Sequence, residues 1–103
     1  MTRERLPDRR RSENFRFKVG RTSYHATVGY YEDGRPGEVF LNCEKAGTDL
    51  QVYMRDSAIA VSMALQGGIP IETIAHAMCR HEDGSPQGLM GQFLDMFAKG
   101  EQG

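Results

Sequence analysis

Four side chains able to bind metal or move protons stand out in this 103-residue chain: His25, His76, Cys79 and His81. His76 and Cys79 are three residues apart on one expected helical turn, and His81 follows, so the three could share a zinc ion. A structural zinc site needs four ligands, usually from paired cysteine or histidine halves, and no such pair occurs. No metal and no cofactor are assigned. Cys79 beside a histidine also has the makings of a thiolate nucleophile. It borders an apolar stripe and lacks a third group to orient the base, so a buried, inert thiol is expected. Among the carboxylates, Asp56 adjoins Arg55 and Glu44 adjoins Lys45, which reads as solvated ion pairing rather than acid–base machinery. Gly20-Arg21-Thr22 and Gly34-Arg35-Pro36-Gly37 read as hairpin turns, not as a phosphate-cradling loop. With no catalytic constellation, the chain reads as a non-enzyme.

Anion-competent groups are better represented. Arg9-Arg10-Arg11 precedes the first expected strand, Arg55 lies on the long helix, and Arg80 with His81 ends the second helix. Guanidinium forks match phosphate oxygens, and Tyr24, Tyr30, Tyr31 and Phe40 offer rings on which a base can stack. The candidate ligand-binding set is Arg9, Arg10, Arg11, Tyr24, His25, Tyr31, Arg55, Arg80 and His81, with a nucleotide-type phosphate as the ligand. The plainer alternative puts the tyrosines in the core or an interface and the arginines in solvent. Charge is unevenly spread around a net −1: residues 1–22 hold eight basic and three acidic side chains, and the remainder is acidic. Such an arm suits anion binding, or contact with the acidic helices of a neighbouring subunit. DNA is an unlikely partner: no helix-turn-helix or zinc module is present and the body is acidic.

Periodicity indicates the elements that must carry these groups. Phe15, Phe17 and Val19 alternate with Asn14, Arg16 and Lys18 in a half-buried strand over 14–19. A second strand over 23–31 turns Tyr24, Ala26, Val28 and Tyr30 one way and His25, Thr27 and Tyr31 the other. Asp33-Gly34 marks a hairpin. The third strand, 38–44, sets Val39, Leu41 and Cys43 against Phe40 and Asn42. Leu50, Met54, Ala58, Val61 and Leu65 then recur at helical spacing, with Thr48 and Asp49 as expected N-terminal caps. Gly67-Gly68 supplies a left-handed stop, and Pro70 suits the first turn of a second helix whose apolar face is Ile71, Ile74, Ala75 and Met78. Leu89, Met90, Phe93, Leu94 and Phe97 define a short third helix. The fold class is α+β: an antiparallel three-stranded meander followed by two or three helices packed on one face. A basic arm over 1–12, one domain over 13–99 and a tail over 100–103 are expected, with no internal repeat.

Length and composition fit a single soluble domain: 26% of residues are charged and 39% apolar. No apolar run approaches the ~20 residues of a membrane helix, and the Arg-rich N-terminus lacks a secretory pattern. Cys43 and Cys79 read as free thiols in a cytoplasmic setting. Small residues on two faces of the long helix, with a Met- and Phe-rich third helix, point to a homodimer or higher homo-oligomer.

Three blocks carry a family resemblance: Leu6-Pro7-Asp8-Arg9-Arg10-Arg11, the stretch from Tyr31 to Phe40 (YEDGRPGEVF), and that from Ala58 to Glu72 (AIAVSMALQGGIPIE). In order and spacing they resemble the TSCPD domain, found at the C-terminal end of cobalamin-dependent (class II) ribonucleotide reductases and as small free-standing bacterial and phage proteins. The cysteine-containing motif that names the domain is absent, as is the catalytic barrel with its radical cysteines and cobalamin site. The resemblance therefore implies the domain, not the reaction, and a reductase subunit as a partner. In size and architecture the chain also resembles phage anti-defence sponges that sequester cyclic nucleotide immune signals of Thoeris and CBASS type. That likeness implies a non-catalytic module binding a nucleotide or cyclic nucleotide.

Overall fold

A computed structural model describes residues 2–43 and 47–100, apart from the side chain of Thr48. The alternating stretches form one antiparallel sheet in the order β1 (Ser12–Val19), β2 (Thr22–Tyr30), β3 (Pro36–Asn42). Phe17 pairs with Tyr24, Ala26 with Leu41 and Val28 with Val39. This register puts the inward residues of all three strands on one face. The helices α1 (Thr48–Gln66), α2 (Ile71–Ala77) and α3 (Leu89–Ala98) follow. The expected extension of β3 to Glu44, the Glu44–Lys45 pair and the last three residues of the tail lie outside the described residues.

All three helices contribute to the core, α2 through Ile71, Ile74 and Ala75, but α3 and α1 cover different parts of the sheet. α3 lies against β1, where the Phe93 ring meets Phe15 at 5.7 Å and Phe17 at 5.6 Å, and Phe97 meets Phe15 at 5.6 Å. Rings at these separations and tilts gain edge-to-face attraction beyond their burial. α1 lies against β3, burying Met54, Ala58, Val61 and Leu65. Leu50, expected on the same stripe, is left partly in solvent because β3 has ended before it.

α1 also seals the β3 edge of the sheet. The Gln66 side-chain amide donates to the Gly37 carbonyl at 3.0 Å. Ser62 Oγ accepts from the Val39 N–H at 2.9 Å and lies 3.2 Å from the Val39 carbonyl. Gln51 donates to the Cys43 carbonyl at 3.3 Å. As the strand numbers rise the helix numbers fall, so helix and strand run antiparallel. Between Gln66 and Ser62 four helical residues rise about 6 Å while the two strand residues from Gly37 to Val39 rise about 6.6 Å, which keeps these two rungs in step. An open edge is otherwise a template for unwanted strand pairing.

The helix ends refine the expected capping. Gly47, not Thr48 or Asp49, is the N-cap of α1, and no side chain caps it. The C-terminal corner forms as read: Ile69 N–H donates to Ala64 O at 3.1 Å and Gly68 N–H to Leu65 O at 3.0 Å, with Gly68 at φ +96°. This is a Schellman stop, in which glycine relieves the left-handed strain. Pro70 is the N-cap of α2 rather than its first helical residue, with ψ 145°, and its carbonyl accepts from Thr73 and Ile74.

One local repeat escaped the expectation of none. Tyr31-Glu32-Asp33-Gly34-Arg35-Pro36 and His81-Glu82-Asp83-Gly84-Ser85-Pro86 fold into the same turn. In each, the first residue's N–H donates to the fifth residue's carbonyl (2.9 and 2.8 Å) and its carbonyl accepts from the glycine N–H (3.0 and 2.9 Å). In each, the aspartate Oδ1 accepts from the N–H two residues on, and the glycine has positive φ. Flanking residues pair alike, Tyr30 with Pro36 and Arg80 with Pro86. An Asx turn completed by a left-handed glycine is local chemistry, so it recurs wherever a tight reversal is needed.

Candidate functional site

The basic arm does not hang free. Leu6 is buried, the Glu4 N–H donates to Gln66 O at 2.8 Å, and the Tyr31 hydroxyl donates to Glu4 O at 2.6 Å. Arg3 adds a bond to the Gln66 side-chain oxygen. The arm thus straps the end of α1 to the β2–β3 hairpin. Gly37 makes this possible: a Cβ there would lie 2.6 Å from Leu6 and 2.7 Å from the Tyr31 ring.

The strap brings together four of the nine candidate residues. Arg9, Arg10, Arg11 and Tyr31, with Pro7, Tyr30 and Glu32, line a cavity of about 290 Å³. Within it Arg10 is committed to the protein, donating to Glu38 at 2.5 and 3.0 Å and to Pro7 O at 2.6 Å. The Arg11 guanidinium stacks 4.7 Å above the Tyr30 ring, while the Tyr30 hydroxyl donates to Glu13 at 2.6 Å. Burial and that carboxylate push the Tyr30 phenol well above its ordinary range. Tyr31, expected on the outward face, is buried instead. The register shifts between Gly29 and Tyr30 and turns its ring beneath the arm. Burial raises its phenol too, and Arg35 covers its ring at 4.6 Å.

The other five candidates lie elsewhere. Tyr24 is a core residue stacked on Phe17 at 5.6 Å, so its face is already occupied. His25 is exposed on the uncovered face of the sheet, between Arg16 and Asn42 on the flanking strands. Arg80 is a structural rivet. It donates to Asp95 at 2.7 and 3.1 Å, to Ala75 O at 2.7 Å and to Gly84 O at 2.8 Å, joining α2, the following turn and α3. The hydrogen bond from Arg80 holds the Asp95 carboxyl below its usual value. His81 is exposed in the turn beyond. Neither Arg80 nor His81 lines the arm cavity.

Arg55 opens onto a second hollow. A groove of about 610 Å³ runs along the seam between β3 and α1, floored by Val39, Leu41, Ala58 and Ser62 and walled by Phe40, Ile59 and Met63. Sequence reasoning passed over this apolar wall, since Ile59 and Met63 fall between the residues of the buried stripe. Among the described residues no group of three or more His, Cys, Asp or Glu side chains is placed to hold a metal ion. Cys43 is buried, but Cys79 is exposed just beyond α2, contrary to the expected buried thiol. Its place after the helix C-cap Met78 carries it off the apolar face. No helix among the described residues is long and apolar enough to cross a membrane.

Comparison with known proteins supplies the relatives. The TSCPD domain model matches residues 1–99. Vitamin B12-dependent ribonucleotide reductase of Rhodopirellula baltica is 40% identical over 74 residues, which is 72% of this chain and 7% of the reductase. Its counterpart in Bradyrhizobium diazoefficiens is 39% identical over 75 residues, 73% of this chain and 6% of the reductase. That of Streptomyces coelicolor is 42% identical over 71 residues, 69% of this chain and 7% of the reductase. The chain thus spans only a small part of these relatives' length. No solved structure matches.

Proposed function

This chain belongs to the TSCPD domain family, and we propose that it serves a vitamin B12-dependent ribonucleotide reductase as a non-catalytic accessory domain acting through protein–protein contact. The observation that carries this reading is the extent of the match: about 40% identity across most of this chain falls on only 6–7% of each reductase. The surface agrees with a contact role. Arg10 and Arg80 are spent on internal carboxylates and carbonyls, whereas apolar side chains of α1 and β3 stand in solvent. Affinity capture on the tagged chain, with a reductase from the same genome, tests the proposal. Recovery of the reductase supports it, and its repeated absence counts against it.

A second reading keeps the arm cavity as a site for a nucleotide or cyclic nucleotide phosphate, including sequestration of a cyclic signal. The proximity of Arg9 and Arg11 to the Tyr30 ring favours it. The volume of about 290 Å³ is at the lower bound for small-ligand sites, and the relatives above are reductases. A thermal-shift panel of deoxynucleotides, ribonucleotides, cyclic di- and trinucleotides and cyclic ADP-ribose isomers decides it. A ligand that binds the folded chain raises the melting point by mass action.

A further inference from the structure

The seal that α1 places on the β3 edge has a gap. Backbone groups of alternate residues point out from an edge strand, and along β3 and just past its end these belong to Gly37, Val39, Leu41 and Cys43. Side chains of α1 reach the Gly37 carbonyl, both groups of Val39 and the Cys43 carbonyl. Leu41 lies between them, and neither its N–H nor its carbonyl has a hydrogen-bond partner among the described residues. The cause is one residue type. Stepping four helical residues for two strand residues leads from Ser62 and Val39 to Ala58 and Leu41, and alanine has no polar side-chain atom to offer.

The gap opens onto the groove of about 610 Å³ that Leu41 and Ala58 both line. Arg55, Ile59, Ser62 and Gln66 recur at intervals of four, three and four, so one stripe of α1 borders it. Its apolar walls stand in solvent: Phe40 is 54% exposed, Ile59 58% and Met63 52%. Its charge is one-sided. Arg3 and Arg55 line it without a carboxylate partner among the described residues. The lining carboxylate, Glu38, is already held by Arg10. An unpaired strand donor and acceptor, apolar walls and an uncommitted guanidinium thus meet in one hollow.

We propose that the β3–α1 groove binds an extended, acidic segment of a partner protein, which pairs one residue with the Leu41 backbone, seats an apolar side chain between Phe40 and Ile59, and sets a carboxylate on Arg55. An extended residue offers an N–H and a carbonyl at the spacing of an antiparallel pair, the basis of recognition by strand addition. A charge-assisted bond from a guanidinium to a carboxylate is among the stronger polar contacts. A phosphate alone would answer the arginine and a fatty acid the walls as well, but each would leave the Leu41 donor unpaired. The proposal rests on the contact role above and names the kind of segment that is gripped.

Selection from a random peptide library on the immobilised full chain tests it, followed by fluorescence anisotropy of the enriched peptide. Enriched sequences should place an acidic residue close to an apolar one. Arg55→Glu should weaken the enriched peptide by more than about tenfold, and replacing the peptide's acidic residue with lysine should restore binding to that variant. Hydrogen exchange at the Leu41 amide should slow in the native complex. Enrichment of no peptide, equal affinity for Arg55→Glu, a variant folded by circular dichroism that refuses the lysine peptide, or unchanged exchange at Leu41 overturns the proposal. The reductase reading is separable. A reductase captured equally by the native chain and by Arg55→Glu overturns the groove alone, whereas peptide binding as expected without reductase capture overturns the reductase alone.

Discussion

Ser62 and Val39 form a two-way hydrogen bond: one hydroxyl on α1 accepts the strand N–H at 2.9 Å and reaches the same residue's carbonyl at 3.2 Å. This is the middle rung of the series from Gln66 to Gln51 by which the long helix stands in for a missing fourth strand. Ser62→Ala leaves both backbone groups of Val39 without a protein partner. Losing partners in a half-buried seam costs about 1–3 kcal/mol. The expected outcome is a lower urea midpoint with an unchanged slope, and faster hydrogen exchange at the Val39 amide. Equal midpoints would show that water replaces the hydroxyl at no cost.

Gly37→Ala should release the arm. The new methyl group would fall within 2.7 Å of both Leu6 and the Tyr31 ring, and overpacking of this kind costs about 1–3 kcal/mol. Because Leu6 is the arm's apolar anchor, the chain should relieve the clash there. Trypsin should then cut more readily at Arg3, Arg5, Arg9, Arg10 and Arg11 in the variant, with the sheet and helices intact by circular dichroism. Identical digestion of both proteins would contradict the strap.

Asp95 should make stability fall in acid. Its folded carboxyl is held below the ordinary value, first by the hydrogen bond from Arg80, so the unfolded chain binds more protons as the pH falls. The stabilisation is therefore present above the ordinary carboxylate range and is lost as pH drops through the lower, folded value. Asp95→Asn should melt several degrees below the native chain at neutral pH. The gap should close in acid below the carboxylate range. A gap that stays constant with pH would remove the ion pair from the account.

Much of this architecture was legible in the chain, and the parts that were not share a cause. Alternation assigned Phe15, Phe17, Tyr24, Ala26, Val28, Val39 and Leu41 to one face because a half-buried strand must alternate. The Gly67-Gly68 stop was legible because it depends on backbone conformation alone. The recurring Glu-Asp-Gly turn carried an equally local signal, but a match so short does not register as a repeat of structure. The edge seal was not legible. Gln51, Ser62 and Gln66 look like solvent-facing polar residues until a strand edge is set beside them. The candidate ligand set suffered in the same way: sequence shows that Arg10 and Arg80 are cationic, but only the fold shows Glu38 and Asp95 waiting for them.

Contact with a reductase is tested most directly by sedimentation velocity of the purified chain mixed with a vitamin B12-dependent reductase from the same organism, truncated before its own TSCPD segment. Part of the small chain should move with the reductase boundary, in proportion to the reductase added. Independent sedimentation of the two at every ratio, with each folded, would contradict it.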